Sequence, residues 1–106
     1  MGLPSVTISL NSNTTEAVDL NGRVLCGVHV PTGFNGGSFT LQTALTTDGT
    51  YYAVQDGNSN NVTVTFSSPP CFVPFDTTKT QGINRFLKLV SNTNANANFT
   101  LVLSIR

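Results

Sequence analysis

Arg85-Phe-Leu-Lys-Leu-Val-Ser91 and Phe99-Thr-Leu-Val-Leu-Ser-Ile105, separated by the polar connector Asn92-Thr-Asn-Ala-Asn-Ala-Asn98, decide the reading of this chain. In the second run Phe99, Leu101, Leu103 and Ile105 fall on one face, with Thr100 and Ser104 on the other. A repeat of two marks a strand, whereas a helix needs a repeat near 3.6. In the first run Leu87 and Leu89 share a face, and Phe86, Lys88 and Val90 point the opposite way. The two runs are expected to form an antiparallel pair over the core of a β-sandwich, which the upstream segments complete.

Those segments carry the same signal. Val6-Thr-Ile-Ser-Leu10 alternates, residues 16–20 form a short strand, and Asn21-Gly22 is a tight-turn dipeptide. Residues 23–30 place Val24, Cys26, Val28 and Val30 on one face and Leu25, Gly27 and His29 on the other. Both faces are largely apolar, which predicts a central strand, and Pro31 ends it because proline cannot donate to a ladder. Phe39-Thr-Leu-Gln-Thr-Ala-Leu45 puts Phe39, Leu41, Thr43 and Leu45 in one row, followed by a hairpin turn with Asp48-Gly49. A return strand over 51–55, a turn over 56–61 and a strand carrying Val62, Val64 and Phe66 come next.

Residues 71–75 are a short extended piece bounded by prolines. The one helical candidate, 76–84, is a single turn capped by Asp76, running through Lys79 and ending at Gly82. About eight strands at roughly ten-residue spacing specify an all-β fold, a jelly-roll-like antiparallel β-sandwich with at most one helical turn. Residues 1–4 (Met1, Gly2, Leu3, Pro4) read as an apolar N-terminal arm outside the strands, and residues 5–106 as a single sandwich domain. That arm, together with exposed strand edges, is the expected partner-binding segment, since an unpaired edge invites another chain.

Composition narrows the partners. Of 106 residues only 9% are charged, where about a quarter is usual, and the formal net charge is +0. Arg23, Lys79, Arg85, Lys88 and Arg106 are scattered along the chain, with no cluster to neutralise a run of phosphates, so nucleic acid is not an expected partner. Nor is a membrane, because no apolar run approaches the roughly eighteen residues of a span. An uncharged surface suits a protein packed densely among copies of itself, so a homo-oligomer is expected.

The residues that carry chemistry are few. His29 is the only histidine and lies between Val28 and Val30, a packing position more than a catalytic one. Glu16, Asp19, Asp48, Asp56 and Asp76 sit mostly at turns, where cap geometry accounts for them. No Gly-x-Ser-x-Gly, phosphate loop, dinucleotide fingerprint or spaced Asp-x-Asp-x-Asp loop occurs. No catalytic residue, cofactor or metal is expected, and the protein is read as a non-enzyme. Cys26 and Cys71 read as separate buried thiols, with a disulfide as the alternative. Adjacent Tyr51 and Tyr52 point to opposite faces of a strand, one to the core and one to solvent.

Read as a whole, the chain resembles small virion proteins of tailed bacteriophages, of the capsid cement or decoration type. The resemblance is carried by Val18-Asp-Leu-Asn-Gly22 leading into Leu25-Cys-Gly-Val28 and Pro31, and by Phe39-Thr-Leu-Gln42, Asp48-Gly49 and Tyr51. Val73-Pro-Phe-Asp76, Gly82 and Arg85-Phe-Leu-Lys-Leu-Val-Ser91 complete it, so that it covers most of residues 16–105. After Ser91 the chain departs from the pattern, with asparagines and alanines where a glycine-rich loop is expected. The Phe39, Asp48-Gly49 and Arg85 blocks are also similar to discoidin-type galactose-binding jelly rolls, which bears on the fold alone. The virion resemblance implies a protein on the outer capsid surface, made in the host cytoplasm, that binds the major capsid protein, clamps neighbouring subunits and, since decoration proteins commonly sit on local three-fold axes, forms a trimer. The alternative is a carbohydrate-binding module, or a fibre or tail component used in host attachment.

Overall fold

A computed structural model describes residues 4–46, 49–80, 82–83 and 85–106. The strands are β1 (Ser5–Ile8), β2 (Val18–Asp19), β3 (Leu25–Val30), β4 (Ser38–Ala44), β5 (Tyr52–Ala53), β6 (Thr63–Thr65), β7 (Cys71–Pro74), β8 (Phe86–Ser91) and β9 (Phe99–Ile105). One helical turn, α1 (Thr77–Thr80), lies between β7 and β8. One sheet has the order β1-β9-β3-β7 and the other β2-β8-β4-β5, with β6 also pairing with β4. Every pairing is antiparallel.

The pairing is nested: first strand with last, β2 with β8, β3 with β7, and β4 with β5 and β6. A long hairpin wound around itself into two facing sheets has this signature, and the fold is a jelly roll. β5 and β6 act as one edge strand along β4. Val54 donates to the Leu41 carbonyl at 2.9 Å and Val62 to the Val54 carbonyl at 2.8 Å, so residues 55–61 loop out and return to the same point.

The expected antiparallel pairing of the 85–91 and 99–105 runs does not occur. β8 is held between β2 and β4, and β9 between β1 and β3, so the two runs face each other across the core. The physical reason lies in the connector. Ala95 is buried, and its backbone exchanges hydrogen bonds of 2.8 Å with Asn11 and Ser12, so 92–98 bridges the sheets as a plugged lid and not as a hairpin loop.

Leu41, Leu87 and Leu89 from one sheet pack against Ile8, Val28, Leu101 and Leu103 from the other, all essentially without solvent contact. Each such side chain contributes about 1.5–3 kcal/mol on burial. Buried hydroxyls are matched: Thr80 donates to the Leu25 carbonyl at 2.8 Å, and Thr15 accepts from the Leu89 amide at 3.0 Å. Among the described residues no buried side-chain nitrogen or oxygen lacks a partner.

Two departures from strict alternation matter. Leu25 was expected on the face opposite Val28, yet both are fully buried, because a bulge between Leu25 and Gly27 inserts a residue and resets the alternation. Leu45 was expected in the core row of Phe39 and Leu41, yet it is 86% exposed. The strand ends at Ala44, the last residue of β4 paired with β8, and the chain turns away before Leu45 reaches cover.

Candidate docking surface

The jelly roll gives the molecule two ends of different chemistry. Strand directions put the loops 9–15, 31–37, 66–70 and 92–98 at one end, and none of them contains Asp, Glu, Lys or Arg. Residues 20–24, 45–46, 49–51, 75–80, 82–83, 85 and Arg106 lie at the other end. Backbone hydrogen bonds chain the charges there together: Leu20 donates to the Arg85 carbonyl, Arg23 to the Leu20 carbonyl, and Val24 and Arg106 bond reciprocally. Arg23, Lys79, Arg85 and Arg106, scattered in sequence, therefore share one end with Asp19 and Asp76.

The charged groups are individually tame. Arg85 lies 3.9 Å from Asp19, with both side chains about half exposed, a separation and exposure at which an ion pair contributes little. The Arg85 guanidinium also sits 5.0 Å from the Phe86 ring centroid. Asp76 caps α1 as its sequence position suggests, accepting from the Thr78 hydroxyl at 2.6 Å and the Thr78 amide at 3.0 Å. The Thr78 hydroxyl, then its amide, holds the Asp76 carboxyl below the ordinary carboxylate range. Asp56 is lowered in the same way by the Asn58 amide, in the turn where Gly57 and Ser59 take positive φ. Both carboxylates serve local turns.

Apolar side chains stand out at this same end. Tyr52 pairs with Thr43, which pairs with the buried Leu87, so Tyr52 occupies the core-side row of its sheet. It is nevertheless 66% exposed, because the row runs past the part of the sheet that the opposite sheet covers. Leu45 and Tyr52 both line a depression of about 250 Å³ together with Thr43, Ala44, Gly82 and Arg85. The same two side chains also line a second depression, of about 210 Å³, with Thr46, Gly49 and Thr50. Leu45 and Tyr52 thus form a ridge between two shallow compartments. No local signal singles out Leu45, whose place in an alternating row predicts a core residue.

Of the expected partner-binding arm, Met1, Gly2 and Leu3 lie outside the described residues, as does Asp48. Pro4 belongs to the sheet and not to a free arm: its carbonyl accepts the Leu103 amide at 2.8 Å, which extends the β1–β9 ladder toward the charged end. The exposed strand edges are poorer contacts than expected. On β1 the Thr7 amide is taken by the Glu16 carboxylate at 3.2 Å, β2 is two residues long, Pro74 removes a donor from β7, and residues 55–61 interrupt the β5–β6 edge. Short, capped and interrupted edges are the standard defence against edge-to-edge pairing.

His29 is exposed on the outer face of β3, where its ring centroid lies 4.7 Å from that of Phe72. Phe72 covers Gly27, where a Cβ would run into the phenyl ring and the Val73 carbonyl. Glycine at this position makes room for the ring. Tyr51 is half-buried beneath the Lys88 ammonium, 4.2 Å from its centroid, so neither tyrosine enters the core. Cys26 and Cys71 are free and half-buried. Cys71 is level with Val30 and Pro74 with Gly27, which sets the two thiols about four strand positions, roughly 13 Å, apart and beyond disulfide reach.

Among the described residues no three His, Cys, Asp or Glu side chains gather, and no helix is long and apolar enough to cross a membrane. Compared with known proteins, the chain matches no family model, no curated protein and no solved structure.

Proposed function

We propose that this protein is a non-enzymatic structural protein of a tailed-phage virion, a cement or decoration protein that binds the outer capsid surface and clamps neighbouring capsid subunits. A jelly roll with two chemically distinct ends suits such a role, but the fold alone does not select it. The observation that carries the reading is the Leu45–Tyr52 ridge, two large apolar side chains exposed at one end of a nearly uncharged molecule. Exposed apolar surface of this kind marks sites of association. A ligand that favours the intact shell stabilises it by mass action, and many equivalent weak contacts add up to tight occupancy.

The test is occupancy of purified particles from the phage that carries the gene. A fixed ratio to the major capsid protein, lowered by Leu45→Asp, supports the reading; absence from particles rejects it. Tyr52 beside Arg85 in an open groove favours carbohydrate binding as a second reading, since a ring face can stack on a pyranose. A glycan array separates the two: a cement protein gives no signal there, while a binding module gives a defined one.

A further inference from the structure

Two asparagines of the chain precede a glycine, in Asn21-Gly22 and Asn35-Gly36, and the fold holds them in opposite ways. The dipeptide is chemically special because the backbone nitrogen of its second residue can attack the side-chain carbonyl carbon of its first. Glycine leaves that nitrogen unshielded and lets the backbone swing into the geometry of attack.

Asn21 and Gly22 are the central residues of a tight turn, closed by the Arg23 amide on the Leu20 carbonyl at 3.0 Å. They take φ of 52° and 82°, which asparagine and glycine tolerate. Both are exposed, and nothing lies within 4 Å of where a Gly22 Cβ would stand. The Asp19 carboxylate accepts the Asn21 backbone amide at 2.9 Å. Among the described residues, however, neither the Asn21 side-chain amide nor the Gly22 N–H has a hydrogen-bond partner. The two reacting groups are free to meet.

Asn35 is tied at both atoms of its side-chain amide. Nδ2 donates to the Asn94 carbonyl at 2.8 Å, and Oδ1 accepts the Asn96 amide at 3.2 Å. Gly36 is hemmed in by the Ser91 hydroxyl and the Phe34 ring, both of which a Cβ would run into. Attack there requires both hydrogen bonds to break and the loop to shift against Ser91.

We infer that Asn21 is a site of spontaneous deamidation and that the fold protects Asn35 from the same reaction. The Gly22 nitrogen bonds to Asn21 Cγ and gives its proton to solvent hydroxide, the Cγ–Nδ2 bond breaks, and Nδ2 leaves as ammonia after taking a proton from water. Water then opens the resulting succinimide at one of its two carbonyls, which yields aspartate or, through the main-chain carbonyl of residue 21, an isoaspartyl link. The sum is amide plus water to carboxylic acid plus ammonia. Each event takes the net charge from +0 to one negative and sets the new carboxylate at the end of the molecule that bears Leu45 and Tyr52. The inference stands whether or not the chain binds a shell.

The experiment is a time course of the full chain in mildly alkaline buffer, folded and in urea, read by tryptic peptide mass spectrometry. Trypsin cuts after Arg23 and Lys79, so Asn21 and Asn35 fall in different peptides and fragmentation places each amide-to-acid mass shift. In the folded chain Asn21 is expected to convert about tenfold or more faster than Asn35, whose two hydrogen bonds must break first. In urea the two rates are expected to come together. Asn21→Ser should remove the early shift from its peptide, and circular dichroism through the time course confirms that the chain stays folded. An unconverted Asn21, equal rates in the folded chain, a gap that persists in urea, or an early shift that survives Asn21→Ser would each overturn the inference.

Discussion

The two ends of the sandwich solve the same problem in opposite ways. At the uncharged end, Phe34 rises from the 31–37 loop into a cluster with Phe39, Phe66 and Phe99, at centroid distances of 5.6, 6.1 and 5.1 Å. Above that floor the loops are stapled by asparagines. The Asn92 side chain accepts the Gly37 amide at 2.9 Å, Asn35 donates to the Asn94 carbonyl at 2.8 Å, and Asn98 accepts the Leu10 amide at 2.8 Å. At the charged end Leu20, Phe75 and Ile83 are buried, but Leu45 and Tyr52 point outward, and the loops carry ions. One end staples its loops and hides the Phe34 ring, with Leu10 about half exposed, whereas the other leaves Leu45 and Tyr52 more fully in solvent. On the proposed reading, the partner sits at the Leu45–Tyr52 end.

The plugged end is expected to be the more sensitive of the two to substitution. Phe34→Ala removes the ring that closes the cluster and is expected to cost about 3–5 kcal/mol, read as a lowered midpoint in urea denaturation. A loss below 1 kcal/mol would mean that the aromatic floor carries no weight. Asn92→Ala deprives the Gly37 and Ser38 amides of their acceptor, at 2.9 and 3.3 Å, and is expected to cost about 0.5–1.5 kcal/mol in the same assay. Leu45→Asp, at the other end, is expected to move stability by less than about 0.5 kcal/mol, since the side chain is already in solvent.

The smallest effect is an acid response confined to turns that lie away from the asparagine-stapled loops. The folded-state pKa values of Asp76 and Asp56 are depressed, so the stability they contribute is present above the unfolded pKa and fades as pH falls through the folded one. Thermal midpoints should hold steady above about pH 5 and decline below about pH 4. Asp76→Asn should shrink that decline. Hydrogen exchange on acidification should loosen residues 76–80 while sparing the asparagine-stapled loops, which have no carboxylate to lose; the reverse pattern would undo the contrast between the ends.

Much of this was legible in the sequence. Alternation in Phe39-Thr-Leu and in Phe99-Thr-Leu-Val-Leu marked the strands, Asp76 marked the helical turn, and the spacing of turns marked an all-β sandwich. What local periodicity cannot encode is which sheet a strand joins. β8 and β9 look like hairpin partners because they are consecutive, yet they join opposite sheets, bridged by a connector in which Ala95 is buried. Bulges are equally silent, so Leu25 was placed on the wrong face. The candidate site was the least legible part. Leu45 continues a perfect alternating row, and its exposure arises from where β4 runs out of partners; the gathering of Arg23, Lys79, Arg85 and Arg106 exists only once the chain has wound.

On the proposed reading, the end bearing Leu45 and Tyr52 faces the partner while the asparagine-stapled end faces away. It is tested most directly by measuring occupancy of purified particles by three proteins: the unaltered chain, Leu45→Asp, and Asn94→Asp, which places a charge at the opposite end on a residue whose backbone carbonyl alone is used. Leu45→Asp is expected to empty the particles, and Asn94→Asp to fill them like the unaltered chain. Loss of occupancy with Asn94→Asp and normal occupancy with Leu45→Asp would contradict it.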